Sequence, residues 1–300
     1  MAPKKANSSY NFPHPMDNDT LVGHSATLRT FTDAWDKRNE YPVHPVWILS
    51  GTRGIGKATL AYKIAKNVFG NIGDFFIIDM ERNIDKDGRP KTEGKVISVY
   101  TIRAMIEKMQ VSSMSGEWRV VLIDSLDELN TAASNAMLKL LEEPPAKTLF
   151  LLIVHQLANV LPTVRSRARV EKMMPLSISE LRDLCAKFMP GEDISTDTLR
   201  LSNGSFGKIA NLKKTGGDTI YAELISLLER SNANSADMMT IAKKIAPSPE
   251  LHGILLDAIA HFGLADLYPV ATRGIADINT INLEPEIAIL KIISEIKKCL

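Results

Sequence analysis

The 300-residue chain is 45% hydrophobic and 24% charged. That globular balance excludes disorder of the whole, since disordered chains are poor in apolar residues and rich in net charge. Lys and Arg number 36 against 35 Asp and Glu, a net charge of +1, so no strong overall field draws the chain to nucleic acid or anionic lipid and a stand-alone DNA binder is disfavoured.

Residues 1–20 are polar and proline-punctuated, a loose lead-in. Lys4 and Lys5 precede Asn7, Ser8, Ser9 and Asn11 rather than an apolar stretch, which does not read as a targeting signal. The longest apolar run, Leu149–Val154, falls far short of the about 18 residues of a membrane helix. Cys185 and Cys299 can build neither a disulfide framework nor a four-thiolate zinc site. The expectation is a soluble cytoplasmic protein with no membrane partner.

From 21 to 174, short apolar runs alternate with helical periodicity. The runs Val46–Leu49, Phe75–Ile78, Val120–Ile123 and Leu149–Val154 suit strands of a parallel sheet, buried on both faces. Between them, Leu60, Ile64, Ala65 and Val68 share one helix face, as do Ile102, Met105, Ile106 and Met109. Ala133, Ala136, Met137 and Leu140 form a third stripe, capped by Asn130 and stopped by Pro144-Pro145. Strand–helix alternation predicts an α/β domain with a parallel sheet and flanking helices. After Pro175 the strands stop. Ser177-Ile-Ser-Glu180 is a capping box, a small helical piece follows over 175–217, and Gly216-Gly217 reads as a hinge. Residues 218–300 form a separate all-helical domain.

Val46–Leu49 runs straight into Gly51-Thr-Arg-Gly-Ile-Gly-Lys57-Ala-Thr59, a G-x-x-x-x-G-K phosphate loop in strand–loop–helix context. Glycines let backbone N–H groups converge on phosphate oxygens, the helix adds its positive end, and Lys57 reaches the β/γ-phosphates. Gly51, Gly54, Gly56, Lys57, Ala58 and Thr59 are therefore the candidate nucleotide residues. The position after the lysine calls for a hydroxyl on Mg²⁺ and carries Ala58; Thr59 comes one residue late, about 100° round the helix. Arg119-Val-Val-Leu-Ile-Asp124 supplies the acid at a strand end where Mg²⁺ would sit. A water-activating Glu would follow, and Ser125 stands there. Asp127 and Glu128 read as acids favouring the start of the next helix. The histidines show no metal spacing: His14, His24, His44 and His155 stand alone, and no metal ligands are assigned.

These residues resemble the clamp-loader AAA+ family, most closely its delta-prime branch in bacterial DNA polymerase III. The likeness rests on His44-Pro-Val-Trp-Ile-Leu-Ser-Gly-Thr-Arg-Gly-Ile-Gly-Lys57 and on Trp118-Arg-Val-Val-Leu-Ile-Asp124. It continues in Asn135-Ala-Met-Leu-Lys-Leu-Leu-Glu-Glu-Pro-Pro145, a block specific to this family, and in Leu161-Pro-Thr-Val-Arg-Ser-Arg-Ala168. It implies a nucleotide-binding-like AAA+ domain over 21–174, a helical lid over 175–217 and a C-terminal helical collar over 218–300 that joins subunits. It implies that Arg167, in the family's Ser-Arg-Cys motif (here with Ala168), reaches a neighbouring subunit's ATP as an arginine finger. The partners it implies are other clamp-loader subunits in a hetero-oligomeric ring, the sliding clamp and polymerase through the complex, and primed DNA indirectly.

The departures point one way. Ala58 removes the Mg²⁺ hydroxyl and Ser125 the carboxylate. In the lid, Gly204-Ser205-Phe206-Gly207 puts glycine where hydrolysing members carry arginine, with Lys208 one step late. Residues 71–95 hold no cysteine, so the zinc module of many relatives is absent or metal-free. The expectation is a non-catalytic loader subunit serving DNA replication, its own ATPase lost within the polymerase III holoenzyme. Its ATP or ADP site, with or without Mg²⁺, is either weak or a relic. The alternative is a catalytically active AAA+ loader subunit. A small-molecule nucleotide kinase would need a second basic pocket, for which no signature is seen.

Overall fold

The computed structural model describes residues 13–69, 75–91, 96–110, 118–280 and 284–300. Its contacts divide the chain into two compact units. Of the described residues, one holds those from 13 to Pro190 with Gly204–Phe206; the other holds Gly191–Asn203 with Gly207–Leu300.

The first unit contains α1 (Ser25–Asp36), β1 (Val46–Ser50), α2 (Lys57–Phe69), β2 (Phe75–Asp79), α3 (Val99–Gln110) and β3 (Arg119–Asp124). It goes on through α4 (Thr131–Glu142), β4 (Thr148–Val154), α5 (Pro162–Arg165), β5 (Arg169–Lys172) and α6 (Ile178–Phe188). Five parallel strands lie in the order β2-β3-β4-β1-β5. Every residue of β1 and β4 is buried, which is why those segments read as unbroken apolar runs. Side chains alternate across the sheet. Ile48, Val121, Ile123, Phe150 and Leu152 pack with Ile102, Met105, Met137, Leu141 and Val164. Trp47, Leu49, Leu122, Leu151 and Ile153 pack on the other face with Phe31, Trp35, Leu60 and Ile64. The side chain of Val68, expected on the α2 stripe, lies outside the described residues.

The fifth strand departs from the sequence reading. β5 pairs with β1 from Trp47↔Arg169 to Ser50↔Lys172, yet Arg-Val-Glu-Lys is largely exposed. Its side chains are left exposed where those of the other edge strand, β2, are half-buried, so its composition is polar and it carries no apolar run.

The segment between β2 and α3 is tied by polar bonds. Buried Asn83 accepts from the Ser98 N–H at 2.9 Å and the Thr101 hydroxyl at 2.8 Å, and donates to the Val96 carbonyl at 2.9 Å.

The expected caps are present. The Asn130 side chain accepts from the Ala133 N–H, and Ser177 and Glu180 complete a reciprocal capping box. The contacts divide near 190 and 206 rather than at 174 and 217. Lys187 donates to Thr20, Leu176 N–H donates to the Gly204 carbonyl at 3.0 Å, and Phe188 meets Phe206, so α6 and the Gly204–Phe206 turn belong with the sheet.

The second unit comprises α7 (Thr196–Leu201), α8 (Phe206–Thr215, from Gly207 onward), α9 (Gly217–Glu229), α10 (Ser235–Ile245), α11 (Gly253–His261), α12 (Tyr268–Thr280) and α13 (Pro285–Lys298). Leu224, Leu228, Ile245, Leu255, Ile259, Ile289, Ile293 and Ile296 form its core. Gly216 is a left-handed junction between α8 and α9, and at Gly217 a Cβ would stand 2.7 Å from Leu251 and 2.9 Å from Leu212. The read hinge is thus a close-packed corner inside this unit. Buried His252 precedes α11, and exposed His261 ends it.

Candidate functional site

β1 ends at Ser50 and the phosphate loop begins at once. Gly51 passes so close to the Met173 backbone that a Cβ would lie 2.7 Å from its carbonyl oxygen. Gly54 and Gly56 take φ of +81° and +102°, where side chains are strained. These three glycines therefore serve the loop's shape. Ile55 is buried, and its carbonyl accepts from the His24 ring at 2.7 Å. The Arg53 carbonyl accepts from the buried Ser205 hydroxyl at 2.8 Å. The loop is braced by both, although neither His24 nor Ser205 was legible as a site residue.

Lys57 opens α2 and is buried. Its Nζ donates to the Gly51 and Thr52 carbonyls, each at 2.6 Å. Burial lowers its pKa to about 8, against the attraction of Asp124 and Asp127. Asp124 ends β3, in register with Asp79 of β2 and Ile153 of β4. Burial raises its pKa, Glu128 adds to that, and Lys57 opposes it. Ala58 and Thr59 are half-buried on the first turn of α2. Ser125 is buried and its hydroxyl has no hydrogen-bond partner among the described residues.

Asp127 and Glu128 depart from the helix-start reading. They lie on a separate 3₁₀ turn, Leu126–Glu128, and α4 begins only at Thr131. Asp127 accepts from the His155 N–H at 3.0 Å and the Gln156 N–H at 2.9 Å, tying the end of β4 to the turn after β3. Glu128 pairs with Arg53 at 3.3 Å. His155 is correspondingly not isolated. It follows β4, and burial with the nearby charge of Lys57 lowers its pKa to about 4 despite Asp127. Its ring is neutral at pH 7. These partners stand 28 residues apart in sequence, and only the β3–β4 pairing brings them together.

The set fits phosphate better than it fits a magnesium–nucleotide. The glycine loop, the start of α2 and Lys57 form an anion cradle, provided Lys57 leaves the loop carbonyls. For Mg²⁺, Ala58 offers no oxygen and Asp124 is the single matching donor. Among the described residues no cluster of three or more His, Cys, Asp and Glu side chains is arranged for a metal. Lys208 pairs with Asp257 at 2.8 Å within the helical unit.

Arg167 lies on the turn between α5 and β5, so one more strand follows it than the sequence reading allowed. Nη1 donates to the Thr163 carbonyl at 2.7 Å and Nη2 to Glu142 at 2.5 Å, with the side chain 33% exposed. Arg169 stacks over Trp47 at 4.4 Å and pairs with Glu171 at 2.8 Å.

A family model described as the DNA polymerase III delta subunit matches residues 25–177, half of the chain. The chain is 29% identical over 216 residues to DNA polymerase III subunit gamma of Buchnera aphidicola subsp. Schizaphis graminum, covering 67% of this chain and 58% of that protein. It is 29% identical over 183 residues to DNA polymerase III subunit delta' of Pseudomonas aeruginosa, covering 53% and 52%. The chain spans about half the length of the curated relatives it matches. A solved DNA polymerase III gamma subunit-related protein from Thermotoga maritima superposes with a TM-score of 0.53 at 16% identity, over 90% of this chain and 98% of that one, a likeness of fold. With its parallel sheet, its glycine loop and the matched segment 25–177, the chain belongs to the DNA polymerase III delta-subunit family of clamp-loader AAA+ proteins, close to delta prime.

Proposed function

We propose that the chain is a delta-prime-like subunit of the bacterial DNA polymerase III clamp loader that hydrolyses no ATP itself. It stands in a hetero-oligomeric ring with related subunits and lends Arg167 to a neighbour's ATP. The loader opens the sliding clamp and places it on primed DNA for the polymerase; this chain meets clamp, polymerase and DNA through the complex. Residues 218–300 act as the collar and 175–217 as the lid. Its own site keeps a phosphate cradle of Gly51, Gly54, Gly56 and Lys57, with weak or vestigial affinity for ATP or ADP.

The observation that carries this reading is an asymmetry within one chain. Its own site lacks a hydroxyl at Ala58 and a carboxylate at Ser125, while Arg167 stands half-exposed on a turn. A guanidinium placed on transition-state charge in trans is worth ~10³–10⁵ in rate in related P-loop systems. The competing reading, an active AAA+ ATPase, has the loop and Asp124 in its favour and needs groups that Ala58 and Ser125 do not supply.

The test is a reconstituted loader carrying Arg167→Ala. Ring assembly should be unchanged while clamp- and DNA-stimulated ATP turnover falls, by less than the single-site factor because only one of several sites depends on this arginine. Arg165→Ala is the control. Arg169 is unsuitable, since its stacking on Trp47 and its bond to Glu171 make it part of the sheet edge. Normal turnover and clamp loading by Arg167→Ala rings, or equal losses in both variants, would sink the finger assignment.

A further inference from the structure

Resting on the reading of Arg167 as a trans finger, we propose that Glu142 is its positioning residue, holding the guanidinium ready before a neighbour arrives. Glu142 is the last residue of α4, next to Glu143 and Pro144-Pro145. A carboxylate at a helix C-terminus opposes the helix dipole, so Glu142 does nothing for α4. The pair it makes with Arg167 is half-exposed, and such pairs add little to stability. What it does achieve is geometric. Leu141, beside Glu142, and Val164, beside Thr163, are buried in the same apolar cluster. The two acceptors gripping Arg167 are therefore fixed to α4 and α5, elements packed against one sheet face.

The grip is selective. Nη1 is held by the Thr163 carbonyl and lies 3.4 Å from the Ser166 hydroxyl, and Nη2 gives one bond to Glu142. Nε–H and the second Nη2 proton make no bond to the described residues. The contact thus restrains a long, rotamer-rich side chain while leaving guanidinium donors, Nε–H among them, for γ-phosphate oxygens. Pro144 ends α4 directly after the acids, so the family-specific Leu-Leu-Glu-Glu-Pro-Pro segment sets where the carboxylate stands relative to the turn.

The test compares reconstituted loaders carrying Glu142→Ala, Glu142→Gln, Arg167→Ala and the double variant Glu142→Ala/Arg167→Ala. Misplacing a reacting group by an ångström can cost ~10²-fold, so Glu142→Ala should lower kcat at the dependent site by ~10-fold or more. KM for ATP, ring assembly and Tm should stay unchanged. Glu142→Gln should recover most of the turnover, because its amide oxygen still accepts from Nη2. The double variant should be no slower than Arg167→Ala alone, since Glu142 acts through that arginine. Wild-type or faster turnover in Glu142→Ala overturns the proposal, and so does a loss that adds to that of Arg167→Ala. If Glu142→Ala is normal while Arg167→Ala is impaired, the finger stands and the positioning role falls. If Arg167→Ala is itself without effect, both fall.

Discussion

His155 sits where burial and the charge of Lys57 oppose a proton on its ring, and this gives stability a pH dependence of definite sign. Unfolded, the imidazole takes its proton near 6.5; folded, it resists until about 4. Below 6.5 the unfolded chain binds the extra proton, so stability is full above that pH and is lost as pH falls toward 4. The loss should reach about 2 kcal/mol, less than the full shift implies because the ring is only partly buried. Asp124, whose pKa burial raises, works in the opposite sense. The readout is tryptophan fluorescence during urea unfolding, at pH 7 and pH 4.5. Trp35, Trp47 and Trp118, the chain's three tryptophans, all lie in the sheet unit, so the signal excludes His252 of the helical unit. His155→Gln should flatten the dependence; an unchanged slope would show that His155 is not the titrating group. The glycines, Lys57 and Asp124 were legible in sequence because a phosphate loop and a strand-end acid have fixed local spacing. Asp127 with His155, and Glu142 with Arg167, were not legible, because each pair joins segments that only strand order brings together.

At the scale of elements, strands whose side chains are covered announce themselves and exposed ones do not. β1, β2, β3 and β4 read directly from their apolar runs, the edge strand β2 included, while β5 carries Arg169, Glu171 and Lys172 in four largely exposed residues and shows no apolar run. The Gly204–Phe206 turn was legible only as a departure from a lid motif. Its place against the sheet unit depends on a close approach that sequence cannot display. Gly204 takes φ of +76°, and a Cβ there would fall 2.4 Å from Pro175 Cβ and 2.8 Å from both the backbone nitrogen and the backbone oxygen of Leu176. Gly204→Ala should therefore destabilise the sheet unit by about 2–4 kcal/mol and loosen the Ser205 hold on Arg53. Gly88 has the same φ of +76° with nothing within 4 Å, so Gly88→Ala isolates the backbone term, about 1 kcal/mol. Urea midpoints by tryptophan fluorescence separate the two. Equal losses would mean that the contact with Pro175 and Leu176 relaxes at no cost.

For the molecule as a whole, the near-neutral charge and the unequal completeness of its two chemical features belong together. With 36 basic and 35 acidic side chains, the chain has no field that would recruit DNA alone, which agrees with a subunit that meets DNA through a complex. The arginine finger proposed for Arg167 would be useful only beside another chain's nucleotide, and the chain's own loop has the shape of a nucleotide site with Ala58 and Ser125 where a hydroxyl and a carboxylate would be needed for turnover. Each missing contact acts in the transition state, so its loss lowers kcat rather than only weakening binding. The isolated chain should accordingly show ATP turnover at the background of a clean preparation. Binding is a separate quantity, because Gly51, Gly54, Gly56 and Lys57 act on ground-state phosphate and Ala58 bears on the metal. Millimolar ATP or ADP should raise Tm slightly, to nearly the same extent with Mg²⁺ as with EDTA. Lys57→Ala should abolish that shift. A Tm unmoved by either nucleotide would make the loop a relic, held by its bonds to Lys57, His24 and Ser205 for the sake of the fold. Brisk turnover abolished by Lys57→Ala would instead mean that another group supplies the missing base, and His155, neutral at pH 7 and near Lys57 at the end of β4, would be the first residue to replace.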